Sequence, residues 1–152
     1  MRRLLALFLS ICCAPAAQAG APTGLFASSD PIEITLSGPI GDIARKAATS
    51  TEPKPATLAF GGAPFAVALS ARGNARRRPE NCSFPPLRVK FTAAPPPDSL
   101  FARQKTLKLV THCRPAESFQ RHTLLEYAAY RIYNRLTEAS FRVRLARVRY
   151  VD

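Results

Sequence analysis

The sequence predicts an α+β domain, an antiparallel sheet covered by one long helix. Three observations carry that expectation. Several short segments alternate apolar with polar residues, as half-buried strands do. One later segment, Ser118 to Thr137, instead repeats its apolar residues at helical spacing. Every glycine lies at or before Gly73 and no proline follows Pro115, so a turn-rich part precedes one able to run as uninterrupted regular structure.

The first nineteen residues read as a targeting segment. Arg2 and Arg3 make a positive start, Leu4 to Cys13 an apolar stretch, and Ala17-Gln18-Ala19 a small-residue cleavage site. The apolar stretch is shorter than the roughly 20 residues that cross a bilayer. Cleavage after Ala19, a periplasmic or secreted location and no stable membrane span are therefore expected. Ile11 is too bulky beside Cys12 to favour lipid attachment there.

Residues 20–55 read as a leader, an edge strand and a polar connector, and 56–152 as the sheet-plus-helix domain. Ile32, Ile34 and Leu36 alternate with Glu33, Thr35 and Ser37, a half-buried strand. Ala44 to Pro55 is the connector. Leu58 to Phe60, Gly61-Gly62, and Phe65 to Leu69 spell a hairpin with Phe65, Val67 and Leu69 on one face. In Leu87–Phe91, Leu87, Val89 and Phe91 alternate with Arg88 and Lys90. Pro95-Pro96-Pro97 then forces an extended loop before the strand pattern of Leu107 to Cys113.

The helix presents Leu125, Ala128, Ala129, Ile132 and Leu136 as one stripe, which should lie on a sheet face, with Ser118 as N-cap. A last strand is expected from Ser140. Its apolar phase slips near Leu145-Ala146, as at a bulge. Such a strand, close to Asp152, either pairs backward onto earlier strands or belongs to a larger fold; truncation is the expectation.

The formal charge is +12, and cleavage would remove two arginines from it. That balance implies affinity for anions without choosing among them. An exported protein meets little cellular nucleic acid, so a nucleotide or an anionic polymer is the expected partner class. Cys82 and Cys113 then remain as the cysteines beyond the leader, and an oxidising compartment favours their pairing. Each flanks one strand of the 87–91 and 107–111 hairpin at the same end, and closing the loop is worth roughly 3–4 kcal/mol. Two free thiols are the alternative. No metal site is expected, because only His112 and His122 accompany the cysteines and their spacing fits no zinc pattern. No glycine-flanked serine suggests a hydrolytic triad.

Arg72-Gly73-Asn74, the strand entry from Pro85 to Phe91, Leu107-Lys108-Leu109-Val110, and the helix containing Leu125-Glu126-Tyr127-Ala128-Ala129-Tyr130 appear in a suggestive order. From about Leu69 to Tyr150 the chain resembles the start of the spore-coat-protein-H-type (CotH-like) atypical kinases. The resemblance covers the amino-terminal lobe of that family only, and implies an incomplete kinase lobe. The family's catalytic and metal-binding aspartates lie beyond the helix, where this chain offers only Glu138 and Asp152. ATP and Mg are thus implied only by the resemblance, and no catalytic residue is assigned.

Phosphoryl transfer needs cations on the phosphates and a carboxylate to fix the lysine. With Phe91 opposite Leu107, Lys90 would oppose Lys108, and Glu126 would relieve the like charges. Lys108 is the first candidate for the lysine, Lys90 the second, and Arg72 an aid from the glycine turn. Solvated strand lysines and an exposed helix glutamate are the plainer reading. Arg142, Arg144, Arg147 and Arg149 suggest a polyanion-binding ribbon or a solvated edge. Two functions are therefore expected: an incomplete CotH-kinase-like domain with at most weak nucleotide or phosphate binding, or a small basic polyanion-binding module. A gene fragment without a role of its own is a third possibility.

Overall fold

The computed structural model describes residues 24–152. The expected targeting segment and its cleavage site lie outside the described residues. Strand β1 (Ile32–Ser37) buries Ile32, Ile34 and Leu36 and turns Glu33, Thr35 and Ser37 outward, as the alternation predicts. The short helix α1 (Ile40–Arg45) follows, with Ile40 and Ile43 buried. The sequence pattern gives little sign of it, because a six-residue helix holds only Ile40, Ile43 and Ala44 at helical spacing.

Strands β2 (Lys54–Phe60) and β3 (Ala63–Ala71) form the expected hairpin, with Phe60 opposite Ala63. Gly61 and Gly62 both have positive φ, 56° and 83°, which matches the mirror-image turn that suits the twist of two-residue hairpins. Strands β4 (Leu87–Phe91) and β5 (Thr106–Leu109), helix α2 (Glu117–Leu136) and strand β6 (Ala146–Val151) complete the order.

The six strands make one sheet in the order β5-β4-β3-β2-β1-β6. Strands β1 to β5 are an antiparallel meander, while β6 runs parallel to β1. The fold is therefore α+β, but the sheet is mixed rather than antiparallel. Strand β1, expected at an edge, is internal, because β6 returns to its free side. The last strand does pair backward.

The sheet curls around a core of Leu36, Leu58, Val67, Leu69, Leu87 and Val89, closed by Ile40 and Ile43 of α1, Leu25 and Phe101. The Phe101 ring stands 5.8, 5.2 and 5.5 Å from those of Phe60, Phe65 and Phe91. The curl brings Phe84, just before β4, to 4.9 Å from Tyr150 of β6. Cys82 and Cys113 are disulfide-bonded, and the Phe84 N–H donates to the Cys113 carbonyl at 3.0 Å.

Helix α2 is present but does not cover the sheet with its apolar stripe. It buries no residue, and Leu125, Ile132 and Leu136 are 65%, 65% and 75% exposed. Its half-buried positions are instead Phe119, Thr123, Glu126, Tyr127, Tyr130 and Asn134. The reason is competition: α1, Leu25 and Phe101 already fill the concave side that an apolar stripe would seek. The N-cap is Ala116, with no side-chain cap, rather than Ser118.

The final segment also differs from expectation. Residues 141–145 form no strand, and β6 begins at Ala146, so the phase slip marks the start of the strand rather than a bulge within it. Arg144 there donates to the Asp30 carbonyl at 2.7 Å and the Leu25 carbonyl at 2.9 Å, which holds the approach to β6 against the start of the domain.

Candidate anion-binding face

Strand alternation assigns two series of side chains to β4. Leu87, Val89 and Phe91 point into the core, so Arg88 and Lys90 point out, and both are exposed. On β5, Leu107 and Leu109 pack against the core while Thr106 and Lys108 are exposed. The pairing places Arg88 opposite Lys108 and Lys90 opposite Thr106.

This register lies two residues from the expected one, which paired Lys90 with Lys108. A shift of two leaves every side chain on its original face, so the apolar pattern cannot distinguish the two. Contacts at both ends of the hairpin decide it: at the open end Phe84 bridges to Cys113 beside the disulfide, and at the loop end the Phe91 N–H reaches the Lys105 carbonyl at 3.0 Å.

On β3, Ser70 opposes Arg88 and Ala68 opposes Lys90. By the same alternation Arg72, two residues beyond Ser70, continues the outward series; its N–H donates to the Pro86 carbonyl at 2.8 Å. Of the four residues singled out from sequence, Arg72, Lys90 and Lys108 thus share one face.

Glu126 does not join them. Its carboxylate pairs with Arg76 at 3.7 Å, and Arg76 also donates to the Thr111 carbonyl at 2.8 Å. The Lys108 ammonium lies 4.0 Å from the centre of the Phe141 ring, a cation–π contact. Among the described residues, Arg72, Arg88, Lys90 and Lys108 form no ion pair.

Arg88 was not singled out beforehand, although its i, i+2 relation to Lys90 on an alternating strand was a legible signal. The other basic side chains are partly committed to structure. Arg114 donates to the carbonyls of Asn81, at 3.1 Å, and Glu80. Arg142 pairs with Glu138, and Arg147 with Glu33 at 3.3 Å. Of the arginine ribbon expected at the end of the chain, only Arg149 is a strand residue without an ion pair among the described residues.

A small pocket near α1 is lined by Asp42, Lys46, Ser50, Glu52 and Lys54. Its charges satisfy one another: Lys46 lies 2.9 Å from Asp42 and Lys54 2.9 Å from Glu52. The hydrogen bond from Lys46 holds the Asp42 carboxyl below its ordinary value. No cluster of three or more His, Cys, Asp or Glu side chains suited to a metal ion occurs among the described residues. Comparison of the chain with protein-family models, curated proteins and solved structures finds no match.

Proposed function

We propose that the outward face of β4 and β5 binds the acidic groups of an anionic polymer, with Arg88, Lys90 and Lys108 in contact and Arg72 at its margin. The observation carrying this reading is that Arg88 sits directly opposite Lys108 and that neither forms an ion pair among the described residues. Like charges opposed across strands are unfavourable, by about 1 kcal/mol in a water-like dielectric. A phosphate, sulfate or carboxylate group placed between them reverses the sign.

A nucleotide clamp of the kinase kind requires a lysine fixed by a carboxylate. Glu126 serves Arg76 instead, so the same cations are read as a polymer-binding face rather than a mononucleotide site. Small Ala66 and Ala68 on β3 leave the adjoining surface low enough for an extended chain to lie across it. The Cys82–Cys113 disulfide is consistent with an oxidising, periplasmic or secreted setting.

The test is retention on a heparin matrix and its salt dependence, with Arg88→Gln, Lys90→Gln and Lys108→Gln combined. Each lost contact should reduce the slope of log K against log salt by about 0.7–0.9, by analogy with nucleic acid polyanions. An unchanged slope in the triple variant would refute the assignment. Saturable ATP binding lost on Lys108→Gln alone would restore the nucleotide reading.

A further inference from the structure

We propose that the outward face of α2 is a docking surface for an anionic lipid bilayer, lying in the plane of the headgroups. Helices of globular domains turn their apolar stripe to the core and their polar side to water. Helix α2 departs from that rule. Its half-buried side mixes Thr123, Glu126 and Asn134 with the aromatic Phe119, Tyr127 and Tyr130, while its aliphatic stripe, Leu124, Leu125, Ile132 and Leu136, is exposed together with Tyr133. Among the described residues, every exposed large apolar side chain except Val151 lies on α2 or at Phe141 just after it. Concentration of this kind marks an interaction surface rather than scattered exposure.

Charge identifies the occupant. Arg121, Arg131 and Arg135 are exposed along the same helix. Of its two acidic residues, Glu117 pairs with Arg121 at 3.3 Å and Glu126 is turned to Arg76. Arg131 and Arg135 form no ion pair among the described residues. A second copy of the chain would bring these arginines against their own kind, whereas an anionic surface complements them.

Shape points the same way. The stripe is the convex back of a single helix, with Ala128 and Ala129 at its middle, and offers no groove for a peptide or a helix to enter. A bilayer accepts such a surface by shallow insertion of the leucine side chains, with flanking arginines at the phosphates and an aromatic residue such as Tyr133 at the boundary. No helix among the described residues is long and apolar enough to cross a membrane, so the geometry is that of a helix lying on the surface.

The experiment uses the full chain in sedimentation with phosphatidylcholine vesicles, with and without phosphatidylglycerol, for the parent and the Leu125→Gln/Ile132→Gln variant. Both positions are exposed, so the variant should keep the parent circular dichroism spectrum. The parent should bind the vesicles containing phosphatidylglycerol, and the variant at least about tenfold more weakly, from the apolar area lost. Heparin retention should be the same for both, which separates this surface from the strand face. Three results would overturn the proposal: no binding to anionic vesicles, equal binding by the variant, or a parent dimer in light scattering that the variant splits. The last would assign the stripe to a second copy.

Discussion

The Asp152 carboxylate accepts hydrogen bonds from the backbone N–H of Gly41, with each oxygen 3.2 Å from the nitrogen. A side chain just past β6 thus satisfies a free donor in the first turn of α1, where negative charge is also favoured. A Cβ on Gly41 would stand 2.5 Å from Asp152 Oδ2, so glycine is what permits the approach. Gly41→Ala and Asp152→Ala should each cost about 0.5–1 kcal/mol, a fall of a few degrees in Tm. The double variant should cost little more than either alone, because both break one contact. Additive losses by calorimetry would show that the contact contributes nothing.

Helix α2 buries no residue and is held through half-buried polar and aromatic side chains, which makes it separable from the sheet. The Arg76–Glu126 pair is about 40% exposed at each partner and so contributes no more than about 1 kcal/mol. Arg76→Ala also removes the bond to the Thr111 carbonyl, so it should loosen α2 more than Glu126→Ala does. Hydrogen exchange should rise about tenfold along 117–136 in Arg76→Ala, with strand amides unchanged. Uniform acceleration across the sheet would mean that α2 is part of the cooperative core.

Cys82 and Cys113 close a loop of sequence separation 31, spanning β4 and β5. On chain-entropy grounds the bond stabilises by roughly 3–4 kcal/mol. Cys82→Ser/Cys113→Ser, or reduction, should lower the urea midpoint by more than 1 M for a slope of about 1–3 kcal/mol/M. Because the bond ties together the hairpin's open end, opposite its loop, the variant should also weaken heparin retention by letting Arg88 and Lys108 move apart. Retention unchanged in a folded double-serine chain would uncouple the two.

Tyr150 carries the clearest alkaline signature. Burial pushes its phenol from the ordinary 10.0 up to about 12. The folded state therefore holds its proton more tightly than the unfolded state does, so this contribution is complete below pH 10 and lost as pH rises toward 12. Two pKa units correspond to roughly 2–3 kcal/mol at most. Tyr150→Phe keeps the ring against Phe84 and should flatten the fall in urea stability over that window. A parallel fall in both chains would place the titrating group elsewhere.

Much of the sheet was legible because its local signals agree. Gly61-Gly62 between alternating segments dictates the β2–β3 hairpin, and the Arg88/Lys90 alternation dictates which face of β4 is basic. The register of β4 against β5 was not legible, since a slip of two preserves every face. The orientation of α2 was not legible either: an apolar stripe says that the helix seeks an apolar partner, not that the partner is its own sheet. What redirected it, the filling of the concave side by Ile40, Ile43, Leu25 and Phe101, comes from the leader, from residues between the first strand and the connector, and from the loop after Pro95-Pro96-Pro97. Glu126 lost its expected lysine for a related reason. Arg76 reaches it from the loop before β4 that the disulfide anchors.

Placing β6 beside β1 has a consequence for the nascent chain. Glu33 and Arg147, which pair across these strands, are 114 positions apart. On the ribosome the meander from β1 to β5 can assemble from neighbours, but one side of β1 keeps a row of bare amides and carbonyls until the last strand is synthesised. Non-local closure of this kind is slow, and an open parallel edge invites the wrong strand meanwhile. In pulse-labelled refolding, protection at β6 should therefore appear in the slowest phase, and a chaperone that shields β1 should raise the yield.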